Sequence, residues 1–579
     1  MGFARVSHQA WFSHLRYGIR TVRYLSCTPL SFQSHRYSIL DENNILRSTQ
    51  HVEVDESLNL FQFVTKDFAR FGDNIAYINA ATDEHISFNQ LLCQSNNLSH
   101  YLNGCGFKKK DVLGMYSANR PECVTAMLGV LGVGSTLTTA NPAYTYSELL
   151  HQVRQSEAKL LFTQTEGLDV AQRVGDEVGI HRIIMLDDHE SNNSGIESLS
   201  NIVRDRPDPG SLELDIDINE DIAFLPFSSG TTGLPKGVMM SHRNVMHNME
   251  YLDVQLGRFG GNSMPHPILL VLPFYHVYGL VIISLFRTWR GKTVVTLPGF
   301  EPVSYLKSIE KYKVENLNIV PPLMLFMLKH PLVDEYDMSS IKIVTTGAAP
   351  CSHNTVEAFL QKFPSVELFT QGYASTEMLV THLQSDDMAL FKPGSVGYIL
   401  PGTEIKVRCI ETGESLGPHQ VGEICARGAS VMKGYWNNSV ATADSLTDDG
   451  WYHSGDLGYF DEDHDFYIVD RLKELIKVKG LQVAPAELED LLTSHEDIID
   501  AAVIGVPDEM AGELPFAYVV KKADSSLDEV QVQDFVASTL SKHKHLKGGV
   551  LFIDAIPKAP SGKILRRVLR DEYKKESVK

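Results

Sequence analysis

The chain has 579 residues, 43% hydrophobic and 21% charged, with 52 basic against 72 acidic side chains and a formal net charge of -20. That length suits two or more domains, each with its own core, and that apolar content excludes intrinsic disorder as the overall state. The acidic field argues against nucleic acid as a partner. Seven scattered cysteines (27, 93, 105, 123, 351, 409 and 425) with no CxxC pair argue for a reducing compartment, against a zinc ribbon and against a disulfide framework.

The first forty residues hold Arg5, Arg16, Arg20, Arg23 and Arg36, no lysine and no acid. An Arg-rich, Ser-containing, acid-free start predicts a mitochondrial transit peptide over residues 1–40. Arg23-Tyr24-Leu25-Ser26-Cys27-Thr28 resembles a matrix-processing site. The expected location is mitochondrial, and a basic tail on a cytoplasmic protein is the alternative.

In chain order, Leu58 to Val64 reads as an amphipathic helix and Ile75 to Ile78 as a short strand. Val112–Tyr116 is a buried strand, Ala126–Gly134 a small-residue helix, and Leu160–Thr163 and Ile183–Leu186 two further strands. This β-then-α alternation predicts parallel sheets covered by helices. Ile268 to Phe286 carries no Asp, Glu, Lys or Arg over 19 residues. Pro273, Tyr275, His276, Tyr278 and Gly279 interrupt it, so a strand at 268–272, a loop and a buried helix is expected and no transmembrane span. Phe466–Val469 is a strand before a break near Asp470. Beyond it, helices at 485–492, 530–540 and 564–575 alternate with strands at 501–506, 517–520 and 552–556. The fold class is therefore α/β: a large N-terminal domain (50–470) with parallel-rich sheets covered by helices, a hinge segment (471–482) and a small mobile α+β domain (483–579).

The most informative stretch is Ser228-Ser229-Gly230-Thr231-Thr232-Gly233-Leu234-Pro235-Lys236-Gly237, after the apolar run Ile222–Pro226. Glycines admit an anion to the backbone, hydroxyls and N–H groups donate to phosphate oxygens, and lysine adds a compact charge. It is not a Walker A loop, which needs G-x-x-x-x-G-K-[ST]; here Lys236 is followed by Gly237. Asp461 to Asp465 suggests an EF-hand but lacks the glycine and the glutamate that loop requires, at Phe466 and Leu472, so it reads as a solvated acidic turn.

The 228–237 segment resembles, at every position, the signature loop of the adenylate-forming enzymes: acyl- and aryl-CoA synthetases, peptide-synthetase adenylation domains and beetle luciferases. The wording of the other motifs is closest to 4-coumarate–CoA ligases, and the resemblance covers roughly residues 50–570. It implies the following roles. Ser228, Ser229, Gly230, Thr231, Thr232, Gly233 and Lys236 bind the phosphates. His276 and Tyr278, in Leu272–Gly279, face the acyl pocket, with Ala374 on its border. Gly347, Ala348, Ala349 and Pro350 lie along adenine. In Gln371-Gly372-Tyr373-Ala374-Ser375-Thr376-Glu377 the Tyr373 ring stacks on adenine, Thr376 contacts phosphate and Glu377 holds Mg2+. Many plant relatives have Gly-Met where this chain has Ala374-Ser375. Asp456 accepts the ribose hydroxyls and Arg471 contacts ribose. Lys473 is the pivot, and Lys477, Gly480 and Gln482 serve thioester formation. Lys563, in Pro557–Arg567, is the catalytic lysine.

The activity so implied is a ligase that activates an arylpropenoic or medium-chain fatty acid with ATP, as an acyl-adenylate, and transfers it to coenzyme A. A luciferase-like monooxygenase using an adenylated luciferin is the alternative. A carrier-protein acceptor and a catalytically dead nucleotide-binding scaffold are less favoured.

Overall fold

Each sheet of the N-terminal part is assembled from strands distant in the chain. The computed structural model describes residues 38–188, 195–228, 235–256, 267–349, 351, 353–385, 388–479, 481–508, 510–559 and 562–577. One sheet of seven runs Met240–Ser241, Ile222–Phe224, Thr136–Ala140, Val112–Tyr116, Leu161–Thr163, Ile183–Met185, Ile196–Ser198, parallel except at the first pair. A second sheet has nine strands. Its parallel centre runs Leu368–Ser375, Ile343–Thr346, Asn316–Ile319, Ile268–Leu270, Val294–Thr296, Ile75–Asn79, with antiparallel strands at both edges. Val112–Tyr116 is buried at every position, as a parallel strand covered on both faces must be.

Helices cover these sheets, and local chemistry sets their starts. Ser87 and Gln90 form a capping box at helix Phe88–Gly104, and Pro121 opens helix Pro121–Gly132. These two helices touch through glycine. A Cβ on Gly129 would fall 2.4 Å from Leu98, and the Ser99 hydroxyl donates to the Gly129 carbonyl at 3.0 Å.

A third, antiparallel sheet of six strands runs Ser38–Leu40, Ile45–Ser48, Thr403–Arg408, Gly422–Gly428, Tyr452–Phe460, Phe466–Arg471. The C-terminal part has its own five-stranded sheet (Ile476–Val478, Leu481–Val483, Ile498–Asp508, Gly512–Lys521, Gly549–Phe552) and helices Pro485–Ser494, Glu529–Thr539 and Arg566–Ser577. A separate core around Ile476, Leu488, Val503 and Val519 fills it. The large and small α/β parts are thus both present.

Several expectations are corrected. The leader range of 1–40 overruns the folded sheet, because Ser38–Leu40 pairs with Leu46–Ser48; the rest of that range lies outside the described residues. The last strand is Gly549–Phe552, ending where 552–556 was to begin. The apolar run 268–286 is a strand only to Leu270, and its helix, Tyr278–Leu285, is a π-helix continued by Phe286–Trp289. No described helix is long and apolar enough to cross a membrane. The hairpin at 476–483 joins the C-terminal sheet through Val478 and Gly512, so the segment expected to serve thioester formation belongs to that sheet. The acidic turn is not merely solvated: the Lys392 ammonium sits among Asp461, Asp463 and Asp465 at 2.7, 3.0 and 3.0 Å.

Candidate active site

Strands Phe227–Ser228 and Lys236–Gly237 pair antiparallel, with Ser228 opposite Lys236. They hold the ends of the phosphate segment, whose Ser229, Gly230, Thr231, Thr232 and Gly233 lie outside the described residues. The Ser228 hydroxyl donates to Glu377 Oε1 at 2.9 Å, and the Tyr435 hydroxyl donates to the same oxygen at 3.0 Å. Lys236 Nζ stands 4.8 Å from the centroid of the Tyr435 ring. Tyr435 is placed by backbone pairing on both sides. It bridges to Val238, while Met432 donates its N–H to the Glu377 carbonyl at 2.8 Å. One aromatic side chain therefore spaces a cation and a carboxylate, both half-buried or buried.

The segment after strand Ile343–Thr346 faces the end of strand Leu368–Ser375, with Thr346 opposite Gln371. Ala348 takes a left-handed φ of 69°, a conformation that a non-glycine residue holds only when its surroundings impose it. A Cβ on Gly347 would lie 3.3 Å from the Gly372 carbonyl oxygen and 3.9 Å from the Tyr278 ring, so glycine keeps that slot open. Ala349 is half-buried, Pro350 is outside the described residues, and Gln371 is buried with its N–H on Gln384 Oε1 at 2.9 Å. Ala374 is exposed beyond Tyr373, and Thr376 is half-buried in the turn before Glu377.

Tyr373 is buried, and its hydroxyl donates to Asp456 Oδ2 at 2.7 Å. Arg471, opposite Asp456 across the strand pair, brings Nε to 3.3 Å of Oδ1. Burial raises the Asp456 carboxyl above the ordinary range, and Arg471 and the Tyr373 hydroxyl pull against it.

His276 ends the loop after strand Ile268–Leu270. Its Nδ1 accepts the Tyr278 N–H at 3.3 Å, which leaves the proton of the neutral ring on Nε2. Burial, with a smaller push from Lys563, lowers its pKa to about 4, so it is neutral at pH 7. The Tyr278 hydroxyl donates to the Thr345 carbonyl at 3.3 Å, tying the apolar run to the segment expected to lie along adenine.

Lys563 enters this cluster from the C-terminal domain. Burial first, then the Arg471 charge, lowers its pKa to about 8, while Asp456, Glu474 and Glu377 raise it. Its neighbour Gly562 packs on the large domain: a Cβ there would meet Pro322 at 3.0 Å and Val320 at 3.2 Å. Lys329 Nζ also crosses between the domains, donating to the Ile498 carbonyl at 3.1 Å. At the hinge, the Asp470 carboxylate accepts the Arg471 N–H at 2.6 Å and the Ala486 N–H at 2.9 Å. Arg570 pairs with Glu474.

The remaining expected residues stand elsewhere. Lys473, Lys477 and Gln482 are exposed, Lys477 and Gln482 facing each other across the 476–483 hairpin. Gly480 is outside the described residues. Tyr435, not among the expected site residues, belongs with the site through Glu377 and Lys236. Glu423, which accepts the Gly455 N–H at 3.1 Å and contacts His453 at 2.9 Å, also supports the Asp456 strand.

Comparison with known proteins identifies the family. The family model described as AMP-binding enzyme matches residues 64–436, and the one described as AMP-binding enzyme C-terminal domain matches 487–563. The chain is 39% identical over 504 residues to a probable CoA ligase of Humulus lupulus, covering 86% of this chain and 89% of that one. It is 38% identical over 530 residues to a 4-coumarate–CoA ligase of Vanilla planifolia, covering 90% and 94%. The crystal structure of ATP-bound MatB from Rhodopseudomonas palustris superposes with a TM-score of 0.79 at 27% identity, covering 89% and 99%. The relatives are ligases, which does not favour the luciferase alternative. The chain belongs to the AMP-binding enzyme family and is an adenylate-forming enzyme of the AMP-forming acyl-CoA ligase type.

Proposed function

We propose that this enzyme activates an arylpropenoic or medium-chain fatty acid with ATP and transfers the acyl group to coenzyme A, releasing pyrophosphate and AMP. The observation that carries the reading is the convergence of Lys563, from the C-terminal domain, on Asp456, Arg471 and Glu377. The 4-coumarate–CoA ligase relatives support the arylpropenoic arm of this reading.

A carboxylate is a poor acyl donor because its leaving group would be oxide. In the first step its oxygen attacks the α-phosphorus, and the bond to the β-phosphate breaks. Charge grows on the α-phosphate oxygens and on the departing pyrophosphate. Lys236 and Lys563 face that charge. Asp456 and Arg471 hold the ribose, and the Gly347–Gly372 slot beside Tyr373 takes adenine. His276, neutral with its proton on Nε2, orients the carboxylate without competing for charge. Glu377, a buried carboxylate steered by two hydroxyls onto one oxygen, fits a magnesium ion, which when bound would neutralise phosphate charge. In the second step the coenzyme A thiol gives its proton to solvent, its sulfur bonds to the acyl carbon, and the bond from that carbon to the AMP oxygen breaks as AMP leaves. The C-terminal domain turns about the hinge at Lys473 and presents Lys477, Gly480 and Gln482 in place of Lys563.

The test is ATP- and CoA-dependent pyrophosphate release across acetate, medium- and long-chain fatty acids and hydroxycinnamates, with products identified by mass. Thioester from hydroxycinnamates or medium-chain acids supports the reading. Pyrophosphate exchange without thioester overturns it. We also assign residues 1–37 to a mitochondrial leader, on composition; a reporter fused behind them that stays in the cytosol refutes this.

A further inference from the structure

A buried guanidinium that the adenylation chemistry does not use lies beside the acyl residues. Arg287, on helix Phe286–Trp289, is 7% exposed, and its Nε is buried with no hydrogen-bond partner among the described residues. The neighbouring carboxylate, Asp253, is engaged by Arg290 Nε at 2.8 Å. The Phe286 ring lies 5.2 Å from the guanidinium carbon. Burial lowers the Arg287 pKa to about 10, so the group keeps its proton at neutral pH. Burying a charge without matched hydrogen bonds is costly, and a core of leucines would be the cheaper filling.

The backbone says where this charge faces. Tyr278, which reaches the Thr345 carbonyl at the adenine segment, begins the π-helix that Arg287 follows. Turns of a π-helix, bonded i to i+5, each take more than four residues. The π-helix ends at Leu285 and Phe286–Trp289 is α-helical, so two turns from Tyr278 are completed between Phe286 and Arg287, whereas two α-turns would stop at Leu285. The two side chains accordingly lie within electrostatic reach of each other. Arg287 is thus set on the Tyr278 side of the helix, on the order of 10 Å further along its axis.

We propose that Arg287 closes the far end of the acyl site and receives a second carboxylate, so that the preferred substrate is a medium-chain α,ω-dicarboxylic acid. One carboxylate reacts beside His276 and Tyr278, and the other pairs with Arg287. This rests on the acid–CoA ligase reading and narrows its substrate class. Ile282, roughly one π-turn on from Tyr278, is apolar and suits a methylene chain. A bidentate guanidinium–carboxylate pair out of water gives strong discrimination against an acid that ends in a methyl group, which leaves the cation unpaired.

The experiment compares suberate with octanoate, equal in chain length, in ATP- and CoA-dependent thioester formation by the full chain. Cinnamate and 4-coumarate are included. Wild type is expected to favour suberate in kcat/KM on the order of 10²-fold, and Arg287→Met to lose suberate activity by ~10²–10³-fold while octanoate holds or improves. Arg287→Lys keeps a cation without the fork and should fall between; it also serves if the methionine variant does not fold. A ligase that prefers octanoate, cinnamate or 4-coumarate to suberate, or whose suberate preference survives the methionine substitution, overturns this inference and leaves the ligase reading standing. Failure of every acid to form a thioester sinks both.

Discussion

The C-terminal domain carries two candidate catalytic ends, and they stand in opposite surroundings. The Lys563 segment is pressed against Val320 and Pro322, among the charges of Asp456, Arg471 and Glu377. The Lys477 hairpin points its lysine and Gln482 to solvent. The hairpin pairs with the C-terminal sheet, and the Lys563 segment packs through Ile556, Ile564 and Leu569 on Ala502, Ile504 and Tyr518 of that sheet, so the two move together. The difference teaches that, under the proposed mechanism, this conformation would serve the first half-reaction and the second would call for a rotation of the whole domain.

The largest break of that contrast is Lys563→Ala. Adenylation, followed by pyrophosphate exchange, should fall by ~10²–10³-fold, while thioester formation from supplied acyl-adenylate stays within a few-fold. Equal losses would erase the distinction. The mirror experiment is Lys477→Ala, which should leave pyrophosphate exchange intact and slow thioester formation by roughly 10–10²-fold. Tyr435→Phe removes one of the hydroxyls from Glu377 Oε1 but keeps the ring under Lys236. A hydrogen bond to a charged group is worth ~1.5–3 kcal/mol. The concentration of magnesium–ATP for half-maximal exchange should therefore rise about tenfold or more. Lys329→Met deletes the bond to the Ile498 carbonyl. At ~0.5–1.5 kcal/mol for one such bond, the closed arrangement weakens, and the ratio of the two half-reaction rates should shift a few-fold toward thioester formation. An unchanged ratio would show that the Gly562 contact alone holds the domain.

Legibility in the sequence followed locality. The Ser228–Gly237 segment, the Gln371–Glu377 segment and the Pro557–Arg567 segment each keep their chemistry within a few residues, and their order could be read directly. The helix expected over Ala126–Gly134 in fact starts at Pro121, five residues earlier, although a proline at the first helical position is a local start signal. What escaped depends on partners far away. Ser38–Leu40 is a strand because Leu46–Ser48 pairs with it, in a sheet otherwise built from residues after 400. Asp461–Asp465 is compensated by Lys392, some seventy positions earlier. Tyr435 acquires its place from Val238 and Glu377. The π-helix at Tyr278 was invisible because a run of Leu280, Val281, Ile282 and Ile283 has no polar residue to mark its period.

The weakened basicity of Lys563 has a consequence for proton traffic. With its pKa near 8, about half of these lysines are uncharged at that pH before nucleotide arrives. The polyanionic phosphates favour the ammonium form, so binding ATP draws a proton from the medium. Below about pH 7 the lysine is already charged and no uptake occurs; above 8 the affinity for ATP falls as the pH rises. In calorimetry, the heat of ATP binding at pH 8 should therefore change with the ionisation enthalpy of the buffer, and that dependence should vanish in Lys563→Ala. Nucleotide would then arrive as a pair with its proton, and the acidity of the compartment would set how readily the first half-reaction is primed.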